Sequence, residues 1–397
     1  MIFMTFSDLG LSNALVKAVE EKGYTKPSPI QEKAIPHILD GKDILASAQT
    51  GTGKTAGFTL PVLHYLSETK HIKYRPLRAL VLTPTRELAA QVHDNIREYS
   101  KYVNIKSAVI FGGVNQNPQI ATLRNGVDVL IATPGRLLDL QAQGHLSLNK
   151  VEIFVLDEAD RMLDMGFSDD IAKIITYLPA ERQNLLFSAT MPQKMRALAN
   201  KILNNPVEIN IAISKPPEQI VQKAFIVYEQ QKAGIIKDML GSKRFSKVIV
   251  FCSKKQNVKD LTTILKSARL AAEEIHSDLD QKSREQYLQD YRNGKTNILV
   301  ATDILSRGID IEDIDLVINY DVPNDGEDYI HRIGRTARAA TTGTAFTLVS
   351  EKEQSKFALI EELLGAPVFK GTVPEMFGPT PEYNPKQKKS AGFKKRR

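Results

Sequence analysis

The chain is 397 residues long, 42% hydrophobic and 25% charged. That is the balance of a globular protein too long for one ordinary core, and it suits two domains of about 150–200 residues each. No apolar run approaches the roughly 18 residues that cross a bilayer, the first ten residues do not read as a signal peptide, and the single Cys252 excludes an intrachain disulfide and a cysteine-built zinc site. The formal charge of +7 is uneven: Lys386, Lys388, Lys389, Lys394, Lys395, Arg396 and Arg397 carry seven of the 53 basic residues, and the remaining 46 equal the 46 acidic ones. Net charge therefore says nothing about what the folded part binds.

In chain order, residues 12–22 predict an amphipathic helix with Leu15, Ala18 and Val19 on one face and Ser12 as its N-cap. Short apolar runs at residues 43–48, 79–83, 128–132, 153–156 and 184–188 predict strands buried on both faces of a parallel sheet. The segment 210–218, with Pro216 and Pro217, reads as a linker. The alternation restarts with strands at 248–251, 297–301, 316–320 and 345–349. From Gly371 the chain is rich in Pro, Gly and Lys, which predicts a disordered basic tail. The halves share a strand–helix rhythm without an obvious sequence repeat.

The first strand runs into Ala48, Gln49, Thr50, Gly51, Thr52, Gly53, Lys54 and Thr55, and then into a helix. Glycines let backbone N–H groups wrap phosphates at a helix N-terminus; Lys54 suits the β- and γ-phosphates and the Thr55 hydroxyl suits Mg2+. Ala48 replaces the glycine that usually opens this pattern. The strand at 153–156 ends in Asp157 and Glu158. Alone, this pair reads equally well as an acidic helix cap; beside a phosphate loop, Asp157 becomes a metal anchor and Glu158 the group that activates water. In the second half, residues 331–338 crowd several cations together. Either they form a solvated face, or Arg335 and Arg338 act as arginine fingers on the γ-phosphate, so that hydrolysis opens and closes the two halves.

In order, these motifs resemble the DEAD-box RNA helicases from about Phe6 to Val349. Phe6 and the run from Gly23 through Tyr24 to Gln31 resemble the adenine-reading motif. Pro84, Thr85 and Arg86, then Gly112 and Gly113, then Thr133, Pro134, Gly135 and Arg136 resemble its first set of RNA contacts. Asp157 to Asp160 and Ser188-Ala189-Thr190 follow, then residues 250–253, the pair Gln289 and Arg292, Thr302 with Asp303, residues 306–310 and the arginine motif with His331. Ala337 stands where the family often has glycine.

The resemblance implies two tandem RecA-like α/β domains with mainly parallel sheets: residues 1–209 binding ATP, a linker at 210–218, a C-terminal domain at 219–370 and a tail at 371–397. It implies that ATP and Mg2+ are the cofactors, with Gly308 and Asp310 (on the ribose) completing the nucleotide site and Asp160, Ser188, Thr190 and His331 coupling it to RNA. RNA is held by its backbone, largely without regard to sequence. The expected activity is RNA-stimulated ATP hydrolysis with local, non-processive duplex unwinding or RNA–protein remodelling. The protein is expected to act as a cytoplasmic monomer, away from membranes. Ribosome-assembly or RNA-degradation factors are candidate partners that the sequence leaves unnamed. The alternatives are an ATP-gated RNA clamp and, disfavoured by Gln31 and Asp160, a duplex-DNA translocase. The compact length is most similar to the bacterial RhlE-type branch. The tail reads as an RNA tether or a solubilising end, and Cys252, Met162 and Met165 as core packing.

Overall fold

The computed structural model describes residues 4–48, 51–69, 75–211, 220–242, 245–302, 314–324, 326–336 and 343–385. The chain separates into two compact units, Met1–Ile213 and Ser214–Arg397. Most of the expected linker, and the expected site residues Gln49, Thr50, Asp303, Gly308, Asp310 and Arg338, lie outside the described residues.

The first unit has strands β1 (Ile44–Ser47), β2 (Ala79–Leu82), β3 (Ser107–Ile110), β4 (Val129–Ala132), β5 (Ile153–Leu156), β6 (Gln183–Ser188) and β7 (Val207–Asn210). They form one sheet in the order β3-β4-β2-β5-β6-β1-β7, with every pairing parallel. α1 (Asn13–Glu21) and α2 (Pro29–Leu39) precede β1, and between the strands run α3 (Lys54–Glu68), α4 (Arg86–Tyr99), α5 (Asn117–Arg124), α6 (Pro134–Ala142), α7 (Ala159–Asp164), α8 (Ser168–Ile175) and α9 (Gln193–Ile202).

The two-residue period of a strand divides these helices between two cores. Ile44, Ala46, Ala79, Val81, Ile153 and Val155 face the core shared with α1 to α4. Leu45, Leu80, Leu82, Phe154 and Leu156 face the opposite core, shared with α5 to α9. Residues apolar at every position are needed because both faces are covered. Since all strands run one way, the loops that follow them collect along one edge, where open α/β sheets hold their ligands.

The second unit has β8 (Ile220–Val227), β9 (Val248–Phe251), β10 (Ala272–Ile275), β11 (Ile298–Ala301), β12 (Leu316–Asn319), β13 (Gly343–Ser350) and β14 (Phe369–Lys370). Its helices are α10 (Lys232–Gly241), α11 (Lys255–Ser267), α12 (Gln281–Arg292), α13 (Gly326–Ile333) and α14 (Gln354–Leu364). The strand order β10-β11-β9-β12-β13-β8-β14 repeats that of the first unit, strand for strand. The repeat that the sequence hides is thus present in the topology.

Composition predicts a basic tail from Gly371, but the chain as far as Pro385 is laid against the second unit. Gln231 Nε2 donates to the carbonyls of Phe377 at 2.7 Å and Pro379 at 2.9 Å. Gln354 Nε2 donates to the Glu382 carbonyl at 2.8 Å, and Ser355 Oγ to that of Pro385 at 2.9 Å. Tyr383 packs edge-on against Phe357 and donates to Glu361. Prolines leave few N–H groups to satisfy, and side chains of α14 and of Gln231, just before α10, take up the carbonyls. Composition conceals this, because the partners lie far away in sequence. Residues 386–397, with the seven cations, are outside the described residues.

Candidate functional site

β1 ends beneath a glycine loop. Gly51 and Gly53 have φ of 81° and 89°, the left-handed region that favours glycine. At Gly53 a Cβ would also lie 2.3 Å from Gln31 Nε2. Gln31 is the reason for that crowding: its Oε1 accepts the Ser28 N–H at 2.9 Å in a capping box, and its Nε2 donates to the Gly53 carbonyl at 3.0 Å. The residue expected to read a base therefore also braces the loop. Lys54 opens α3, is buried, and donates from Nζ to the Ala48 carbonyl at 2.6 Å. Thr55 is half-buried beside it. Phe6 is buried in the core under α2, whereas Tyr24 is 44% exposed and sits beside Lys22 and Tyr99.

At the tip of β5, Asp157 and Glu158 are both buried. Desolvation pushes the Asp157 pKa up to about 7, against the pull of Lys54 and with the push of Glu158. Glu158 stands in left-handed backbone at φ 51° and ψ 49°, a conformation that costs a non-glycine residue about 1–2 kcal/mol. Its carboxylate lies 3.5 Å from the Arg161 guanidinium. Among the described residues no three His, Cys, Asp or Glu side chains form a ready-made metal site. The donors nevertheless fit a magnesium ion that arrives with phosphate: a hydroxyl at Thr55 and a desolvated carboxylate at Asp157 whose ionisation a cation would favour.

Asp160 links this tip to its neighbour. Its Oδ2 accepts both the backbone N–H and the hydroxyl of Thr190, each at 2.9 Å. Ser188 Oγ donates to the Thr190 carbonyl at 2.7 Å, and the Ala48 N–H donates to the Ser188 carbonyl at 3.1 Å. One chain of hydrogen bonds thus runs from the acidic tip through Ser188-Ala189-Thr190 to the glycine loop.

The loops after β2, β3 and β4 form a second cluster on the same edge. Thr85 caps α4, its Oγ1 accepting the Leu88 N–H at 3.3 Å. The Arg86 guanidinium lies over Gly113, where a Cβ would come within 2.1 Å of Nη1; φ there is 76°. Arg136, in α6 behind the cap Thr133 with Pro134 and Gly135, donates to the Val114 carbonyl at 3.2 Å. Three motifs separated in sequence therefore meet, with Pro84 and Gly112 in the adjoining turns.

In the second unit, Thr302 follows β11, and its buried hydroxyl has no partner among the described residues. His331 lies in α13 and is buried, and Arg335 follows the end of that helix. Arg332 between them is fully buried, donating to Asn319 Oδ1 at 3.1 Å and the Asp321 carbonyl at 3.0 Å over the Phe251 ring. Gln289 and Arg292 are not brought to the strand ends. They sit in the last turn of α12, where Arg292 is exposed and Gln289 donates to Asn293. The first turn of that helix faces β10 instead: Arg284 Nη2 donates to the His276 carbonyl at 3.4 Å. Gln281 and Arg284 have the same spacing as Gln289 and Arg292, and their place just after a strand was the available signal. Cys252 and Met162 are buried as expected, but Met165 is 47% exposed.

A glycine loop closing on a buried lysine after β1, an acidic pair at the tip of β5 with β6 between them, and an all-parallel sheet define a P-loop NTPase unit, joined here to a second unit of the same topology. A sequence profile of DEAD/DEAH box helicases matches residues 28–198, and one of the helicase conserved C-terminal domain matches residues 231–340. The chain is 43% identical over 359 residues to the DEAD-box ATP-dependent RNA helicase RhpA of Helicobacter pylori, covering 90% of this chain and 72% of that protein. It is 41% identical over 358 residues to the ATP-dependent RNA helicase CshA of Listeria monocytogenes, covering 90% and 68%. The structure of S. cerevisiae Dbp5 bound to RNA and ADP BeF3 matches with a TM-score of 0.82 at 32% identity, over 92% of this chain and 95% of that one. The chain belongs to the DEAD-box ATP-dependent RNA helicases, enzymes that hydrolyse ATP in response to RNA. Among the described residues no helix is long and apolar enough to cross a membrane.

Proposed function

We propose that ATP occupies the glycine loop of the first unit, with its phosphates on the backbone of residues 48–53, Lys54 on the β- and γ-phosphates and its base read by Gln31 between Phe6 and Tyr24. Thr55 and Asp157 hold the magnesium ion, which neutralises phosphate charge when bound. Glu158 orients and deprotonates the attacking water. Arg335 and Arg338 of the second unit stabilise charge developing on the γ-phosphate, and Gly308 and Asp310 contact the ribose. RNA lies on the cluster of Arg86, Gly113 and Arg136, and on Thr302 and Asp303; Arg284 replaces Arg292 in that role. In this division of labour residues 1–209 bind ATP and residues 219–370, with 371–385 laid against them, form the C-terminal domain.

The observation that carries this reading is the bond between Asp160 and Thr190. In the sheet order, β5 stands between β2 of the RNA cluster and β6 of the nucleotide side. The hydrogen-bonded tips of β5 and β6 therefore lie where a change at the phosphates can alter the grip on RNA. ATP and RNA favour one arrangement of the two units, in which a short duplex is locally opened; loss of phosphate releases it. The protein acts as a cytoplasmic monomer in this reading. Strand displacement on a short RNA duplex tests it: ATP-dependent loss of duplex is expected, whereas RNA-stimulated hydrolysis with an intact duplex would make the protein an ATP-gated clamp.

A further inference from the structure

We propose that the first unit carries a second site for a phosphorylated nucleoside, at the sheet edge opposite the glycine loop. A cavity of about 590 Å³ opens there, beneath the amino-terminal ends of β2, β3 and β4. Its volume lies within the roughly 300–1,000 Å³ of small-molecule sites. Strands of four residues separate it from the Arg86–Gly113–Arg136 cluster by about 13 Å, so it is not an extension of that surface.

The wall of the cavity is charged in one sense only. Arg75, Lys106, Arg124 and Lys150 line it, and among the described residues no carboxylate does. That is an unusual concentration in a chain whose 46 remaining basic residues balance 46 acidic ones once the last twelve positions are set aside. Several other basic side chains of this unit are matched, Lys22 with Glu98, Lys101 with Glu21 and Arg78 with Glu152. Lys106, Arg124 and Lys150 are exposed and form no ion pair among the described residues. Arg124 closes α5, where a cation complements the helix dipole; Lys106 and Lys150 lie on no helix and have no such reason.

Arg75 is the fixed element. Its Nη1 donates to Asp128 Oδ2 at 2.6 Å and its Nη2 to Asn104 Oδ1 at 2.6 Å. Its backbone holds φ at 41°, a strained value for a side-chain-bearing residue. Asp128, which also accepts the Lys106 N–H at 2.8 Å, is thereby engaged below the cavity and does not enter its wall. Leu77 and Val127 supply a buried apolar floor. Three exposed cations over an apolar floor suit phosphates attached to a flat, weakly polar base. That chemistry is offered by a free nucleotide and by a nucleotide within a longer RNA strand.

The test compares the full chain with its Lys106→Ala/Arg124→Ala/Lys150→Ala variant in two arms. Equilibrium dialysis against ADP counts bound equivalents: two in the parent and one in the variant assign the site to free nucleotide. In the second arm, affinity for a short single-stranded RNA is followed against salt without nucleotide. One ADP equivalent in both proteins, with a salt slope reduced by about 2 in the variant, assigns it to a nucleotide of an RNA strand, at about 0.7 for each phosphate no longer neutralised. Equal ADP stoichiometry together with an unchanged slope overturns the proposal. Lys150→Glu alone gives a smaller shift in the same direction, and unchanged ATP hydrolysis at saturating RNA shows that both variants are folded and that the glycine-loop site is intact.

Discussion

Lys54 opens α3 and Lys232 opens α10, the helices that follow the first strand of two identically ordered sheets. Each faces an aspartate beyond the fifth strand, Asp157 in one unit and Asp321 in the other. Among the described residues Lys54 reaches a carbonyl and no carboxylate within ion-pair distance, and Asp157 is so desolvated that its pKa rises to about 7. Lys232 is fully buried, 2.8 Å from Glu353, 3.1 Å from Glu229 and 3.5 Å from Asp321. Burial acts against its charge, but Glu353, Asp321 and Glu229 together hold it above the usual lysine range. Asp321 is further engaged by the Ser253 N–H and by Asn257. Where the first unit has glycines, the second has Tyr228 and Glu229 to Gln231. On the proposed reading, one scaffold leaves its lysine and aspartate for a ligand, while the other sets its own carboxylates around the corresponding lysine.

The division between the units should fail most completely at the arginine that the second unit contributes. Arg335→Ala should lower RNA-stimulated phosphate release by about 10³-fold or more, and near-normal release would remove the second unit from the chemistry. Glu158→Gln should reduce turnover by about 10²–10⁴-fold while binding of ATP and RNA persists; retained hydrolysis would return Glu158 to an ordinary helix cap.

Stability distinguishes the two lysines next. Lys232→Ala strands buried carboxylates and should cost the second unit about 3–5 kcal/mol in denaturant unfolding, a loss that an exposed lysine would not produce. Across about pH 4 to 7 only the first of the two sites should titrate. Asp157 has its folded pKa raised from 3.8 to about 7, so its contribution is complete below the unfolded value and is lost as pH rises through the folded one. Lys232 stays protonated in both states throughout that window. The nucleotide-free first unit should therefore lose stability over that interval, and Asp157→Asn should flatten the dependence; an unchanged melting profile would contradict the desolvated carboxylate. A weaker effect concerns a region outside both sites. Removing residues 386–397 should reduce RNA affinity and flatten its salt slope, by at most about 5 for seven cations; an unchanged slope makes the tail a solubilising end.

The central strands were legible because they are apolar on both faces, as in residues 79–82 and 248–251. The edge strands were not. β3, β7 and β10 bury alternate or few positions, and Glu208, Glu273 and Glu274 interrupt the apolar signal. A strand covered on one side has no reason to be apolar throughout. The glycine loop and Asp157-Glu158 were readable because their chemistry is local. The bond from Asp160 to Thr190, the stacking of Arg86 on Gly113 and the sealing of Lys232 by Glu353 join residues distant in sequence, up to 121 positions apart, and could only come from the fold.

If the first unit hydrolyses ATP at Lys54 while the second is closed at the corresponding place, the two lysines must answer replacement differently. The decisive experiment measures RNA-stimulated hydrolysis by Lys54→Ala beside the paired replacement Lys232→Met/Glu353→Gln in the folded protein. Hydrolysis should be lost in the first variant and retained in the second; hydrolysis surviving without Lys54, or disappearing with the Lys232 pair, would contradict that assignment.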